Sequence, residues 1–160
     1  SEIVLLRNLA NDLNKPSYDN NRRKIIDSGI TLIKNDKNTI PVTKLKNKSI
    51  ATVSFGSEKV TTFQKTMDKY TRVDHFVANT KLSDSLSKVL SKYDIVIASA
   101  HSSSMYPSGT NYGIKPEYLS SIVDLSNKTK VIFSKTSGWA WMNALTVLIA
   151  IAAANSTGKR

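Results

Sequence analysis

Short, mostly apolar runs constrain this chain most. Ser49 to Phe55 is short, β-branched and mostly apolar, and Ile95 to Ala98 is apolar on consecutive positions, as strands covered on both faces are. Strands of that kind belong to parallel sheets, whose crossover helices lie on both faces. Amphipathic stretches separate the runs. Leu82, Leu86, Val89, Leu90 and Tyr93 share one helical face, and Phe63, Met67 and Tyr70 share another after a start at Thr61 or Thr62. Pro116 opens a helix carrying Leu119, Ile122 and Val123. Arg72 to Ala78 alternates like a half-covered strand, and Lys130 to Phe133 supplies a further one. This order predicts an α/β three-layer sandwich. A mostly parallel, flavodoxin-like sheet of about five strands is flanked by helices, with right-handed crossovers and the first strand central.

Ahead of the first strand, Glu2 to Leu13 has helical spacing, and Lys15-Pro16 punctuates it. Asp19 caps a second predicted helix, Arg22 to Ile33, with Ile26, Ile30 and Ile33 on one face. Asn35, Asp36, Asn38 and Pro41 break it into a polar turn. No basic-then-apolar-then-small pattern marks a signal peptide at the start.

The string SGITLIKND from Ser28, IPV at Ile40 to Val42, a basic spacer, and KSIATVSFG ending at Gly56 stand in one order with short gaps. Together they resemble the entry into the C-terminal α/β domain of bacterial family 3 glycoside hydrolases, nearer the β-N-acetylhexosaminidase than the β-glucosidase branch. The resemblance runs roughly from Leu13 to Phe133. It implies that residues 1–35 are a helical linker to an N-terminal (β/α)8 barrel, and that 36–160 form the sandwich domain. A chain of 160 residues supports one core and has no room for such a barrel, which needs about 250 residues.

The resemblance further implies a parent glycosidase that hydrolyses O-glycosyl bonds of a glycan, without a cofactor. In the hexosaminidase branch the nucleophile Asp and the acid/base His-Asp pair lie in the barrel, so no catalytic residue carries over and this chain alone is expected to be inactive. In the glucosidase branch an acid/base Glu comes from this domain, and no matching glutamate stands here. The barrel of the same polypeptide is the expected partner. Without it, the surface that faced the barrel is expected to favour self-association. Export is usual among such relatives, and the sequence itself leaves the compartment open.

Two loops fall at expected carboxyl ends of strands, where ligands of such sheets bind. The longer, Ser99 to Lys115, carries His101, Ser102, Ser103, Tyr106, Asn111 and Tyr112, read as ligand or barrel contacts. Gly56 and Ser57 form a weaker phosphate or sugar turn, without a phosphate-binding glycine motif. The Ser-His neighbours invite a nucleophile reading, yet no G-x-S-x-G elbow frames them. His75 and His101 are the only histidines and cysteine is absent, so a metal site is not expected and His75 reads as an ordinary strand residue.

The formal charge of +11 raises the question of nucleic acid. Eighteen of the 23 basic residues are lysines, mostly scattered, and only Lys44, Lys46 and Lys48 form a run, without interleaved aromatics. No nucleic-acid partner is expected, and the charge reads as a solvated surface. The competing functional readings are a free-standing sugar or phosphate module and, behind it, a nucleic-acid binder. Residues 135–160 depart from the family pattern. There Thr146 to Ala154 reads as a fifth buried strand, with a helix as the alternative.

Overall fold

The computed structural model describes residues 11, 15–35, 38–103, 114–137 and 146–151. The predicted helix Glu2 to Leu13 therefore falls almost wholly outside the described residues. Six strands form one sheet: β1 (Thr31–Leu32), β2 (Ile50–Phe55), β3 (Asp74–Ala78), β4 (Ile95–Ser103), β5 (Lys130–Ser137) and β6 (Thr146–Ile151). Their order is β1-β6-β5-β4-β2-β3. All neighbours are parallel except β5 and β6. Setting aside the two-residue β1, the order is that of a flavodoxin-like sheet, with an antiparallel last strand. The fold class and strand order expected from the sequence therefore hold, and Thr146 to Ile151 is a strand rather than a helix.

Helices fill the connections: α1 (Pro16–Gly29), α2 (Thr62–Met67), α3 (Asp84–Leu90) and α4 (Pro116–Ser126). One sheet face is apolar along its length. Ala51, Val53, Phe55, Val96, Ala98, Val131 and Phe133 meet Leu82 and Leu90 of the α3 segment and Tyr118, Ile122 and Leu125 of α4. The other face begins apolar, with Ile50, Val73, Ile95 and Ile132 packed under Ile40, Val42, Leu45 and Met67. Burying that much aliphatic surface is the main source of stability, at about 25 cal/mol per Å² removed from water.

Four boundaries differ from the sequence reading. α1 begins at Pro16, three residues before the expected Asp19 cap, because proline at a first-turn position loses no needed amide. It ends at Gly29, and Ile30 is already extended, so Ile30 and Ile33 leave the helical face shared with Ile26. Parallel pairing of Thr31 and Leu32 with Val147 and Leu148 draws this segment into the sheet instead. α2 is shorter than the Phe63–Tyr70 spacing implied, ending at Met67 and leaving Tyr70 exposed. β4 runs through Ser103 where a loop was expected from Ser99, because β5 lies alongside and pairs as far as Ser103 with Ser137.

Candidate functional site

In a doubly wound sheet, the crevice for ligands opens where successive connections leave in opposite directions. Here that point lies between β2 and β4, since β2 leads outward to β3 and the chain then returns to β4 on the other side. The face away from α3 and α4 changes character toward this end. Its first layer is Ile50 and Ile95; its next is His75, Thr52, Ile97 and Ile132; its third is Val77, Ser54, Ser99 and Ser134. Parallel register puts the three serines in one row, Ser54 beside Ser99 and Ser99 beside Ser134. With strands about 4.8 Å apart, the row spans about 10 Å.

All three serines are fully buried. Ser99 Oγ lies 2.9 Å from His101 Nε2 on the same strand face. Burial holds the His101 imidazole below its ordinary pKa, which keeps the ring neutral near pH 7 and able to share the Ser99 proton. Ser54 Oγ and Ser134 Oγ have no hydrogen-bond partner among the described residues. A buried hydroxyl left unpaired costs about 1–3 kcal/mol, so this end of the sheet carries polar atoms that folding alone disfavours.

A second polar group lies one layer below. Asp68 Oδ2 is 3.0 Å from His75 Nε2, and His75 Nδ1 is 2.8 Å from Thr52 Oγ1. Gln64 Nε2 donates to Thr52 Oγ1 at 3.1 Å and to the Phe76 carbonyl at 2.9 Å. Its Oε1 accepts from the Thr61 backbone, while Thr61 Oγ1 accepts from the Gln64 backbone, closing a capping box. The order carboxylate, imidazole, hydroxyl is that of a catalytic relay. Thr52, however, is fully buried, and its hydroxyl is taken up by both Gln64 and His75. These bonds tie α2 to β2 and β3, so the group holds the fold and offers no nucleophile. His75, read from sequence as an ordinary strand residue, is its central member.

The sequence-predicted residues divide in three. Gly56 and Ser57 follow β2 directly, with Gly56 at a left-handed φ of 76° and Ser57 Oγ donating to the Lys59 carbonyl at 2.8 Å. Ser57 thus spends its hydroxyl on its own turn. His101, Ser102 and Ser103 stand on β4 and not in a loop. His101 is paired with Ser99, and a fully buried Ser99 offers no attack on a substrate. Tyr106, Asn111 and Tyr112 lie outside the described residues.

Sequence reading missed Ser54, Ser99 and Ser134 as a set. Polar residues at every second position, Thr52 and Ser54, then Ser99 and His101, were the signal for one polar face within strands read as apolar. Among the described residues no three potential metal ligands gather, and no helix is long and apolar enough to cross a membrane. No family model matches the chain, and comparisons with curated proteins and with solved structures find no match either.

Proposed function

We propose that this chain is the non-catalytic α/β domain of a family 3 glycoside hydrolase, probed best as β-N-acetylhexosaminidase type, and that it packs against the (β/α)8 barrel of its parent. The observation that supports the reading is where large apolar side chains remain in water. Tyr18, Ile25, Ile30, Leu32 and Ile33 are all exposed, Ile25 at 68% and Ile33 at 62%. They fall within residues 18–33, the stretch that the resemblance assigns to the junction with the barrel. Apolar side chains concentrated in one segment favour a covering partner.

The coding DNA on the 5′ side of Ser1 tests this reading. It should hold an in-frame barrel with the nucleophile Asp and the His-Asp pair, and the isolated chain should not cleave a chromogenic N-acetylglucosaminide. A start codon directly before Ser1, or hydrolysis that co-purifies with this chain, overturns it.

A second reading, a free-standing sugar module, rests on the hydroxyls of Ser54 and Ser134, which find no partner among the described residues and would have to be uncovered for a ligand to reach them. Hydroxyl-rich ligands both donate to and accept from such groups. Saturable binding of N-acetylglucosamine, weakened in S54A/S134A, supports it; absence of any saturable signal removes it.

A further inference from the structure

The lysine run Lys44 to Lys48 plays no part in either reading, yet its last member reaches a cavity at the opposite end of the sheet. The cavity holds about 160 Å³, against the ~15 Å³ that admits one water. It lies at the amino ends of β4 and β5, where Ile95 and Lys130 are the first residues and pair in register. Lys48 enters from the segment before β2, and Asn38, Thr39 and Thr43 form the facing wall.

That wall is held in shape. Asn35 Nδ2 donates to the Ile40 carbonyl at 2.6 Å, and Asn35 Oδ1 accepts from the Ile40 amide at 3.1 Å. Asn38 sits at φ 49° and Lys44 at φ 57°, left-handed positions that fold the segment over the strand ends. The two ammonium groups thus come from separate elements and are brought to one cavity by the sheet.

The charges at this cavity are unbalanced. Among the described residues Asp94 is a nearby carboxylate, and both Lys48 and Lys130 act on it through space. Its Oδ2 is already used by the Ser49 amide and hydroxyl, both at 2.8 Å. The side-chain ammonium of neither Lys48 nor Lys130 makes an ion pair or hydrogen bond with any described residue. The described lining therefore offers two cations, two threonine hydroxyls and one amide, with no acid among them. Donors outnumber acceptors, which suits an oxyanion better than a neutral sugar.

The geometry points to a binding site for a small tetrahedral oxyanion, a phosphate or phosphoryl group, clamped between Lys48 and Lys130 with Thr39 and Thr43 as hydroxyl donors. It is independent of the glycosidase and sugar readings, which concern α1 and the carboxyl ends of the strands.

Titration with inorganic phosphate at constant ionic strength, followed by the amide resonances of Thr39, Thr43 and Lys130, tests it. The expected result is a saturable response absent with chloride. K48M/K130M keeps the aliphatic stems of half-buried Lys48 and exposed Lys130 and should weaken binding at least about tenfold. K44M/K46M removes the same charge outside the cavity and should leave affinity within about twofold. A well-dispersed spectrum establishes that each variant is folded. A phosphomonoester tested in parallel separates the sources: equal affinity assigns free phosphate, and tighter ester binding assigns a phosphoryl group carried on a larger ligand. A response that matches chloride, or equal loss in both double variants, overturns the proposal.

Discussion

Removing the orphan hydroxyls at the switch point should make the protein more stable. Ser54 and Ser134 are fully buried and unpaired among the described residues, whereas Ser99 between them is bonded to His101. Ser→Ala at either outer position relieves the desolvation of one hydroxyl, about 1–3 kcal/mol. The oxygen removed leaves a void of roughly 15 Å³, which at ~24 cal/mol per Å³ costs about 0.4 kcal/mol. A net gain of about 1–2 kcal/mol per site follows, or a rise in Tm of about 2–8 °C for a chain of this size. The two sites lie two strands apart, so S54A/S134A should be nearly additive. S99A should go the other way, losing about 0.5–1.5 kcal/mol with the His101 bond. Urea unfolding at pH 7 with a common m value is the assay. If S54A and S134A destabilise as much as S99A, those hydroxyls have partners in solution and the row is ordinary packing. If they stabilise, the native serines are kept at a cost, which is what a ligand-facing surface requires.

Other expectations follow from single groups. Q64A should lose about 2–4 kcal/mol, because the Phe76 carbonyl and Thr52 hydroxyl lose a donor and α2 loses its capping box; a shift under about 1 kcal/mol in the urea midpoint would refute that role. Bonds from the Ser49 amide and hydroxyl, then the charges of Lys48 and Lys130, lower the Asp94 pKa. Stability from Asp94 is therefore present above the unfolded value near 3.8 and is lost as pH falls through the lower folded value, so D94N should show a smaller stability loss than wild type between pH 5 and acid denaturation. Burial lowers the pKa of His101, so the unfolded chain takes up that proton first. Stability should then fall as pH drops below about 6.5 toward the folded value, and H101Q should flatten that part of the pH profile.

The strand order was legible because the mostly apolar, β-branched run Ile50 to Phe55 and the consecutive apolar positions Ile95 to Ala98 suit strands covered on both faces, and the intervening helices make parallel pairing the economical connection. The start of α2 was legible to within one residue, at Thr61 or Thr62, and the structure makes Thr61 the cap through bonds between groups three residues apart. Less could be read of the extent of β4. Ser99, His101, Ser102 and Ser103 look like loop residues in sequence, and they remain in the strand because β5 pairs with it at Ser99 and Ala100 and again, past an irregularity, at Ser103. The α1 boundary failed in the same way, since the pairing of Thr31 and Leu32 with β6 outweighs the helical spacing of Ile26, Ile30 and Ile33.

Periodicity and turn chemistry act between near neighbours, and so the sequence by itself determined the class of fold, the alternation of helix and strand, and the two ends of the sheet where loops lie. Tertiary structure alone decided which distant side chains meet. Register across three strands aligned Ser54, Ser99 and Ser134. The packing of α2 on β2 and β3 joined Asp68, His75, Thr52 and Gln64. Parallel pairing of β4 with β5 placed Lys130 across a cavity from Lys48. Each of these sets depends on strand partners chosen over long stretches of chain, and no local pattern encodes that choice.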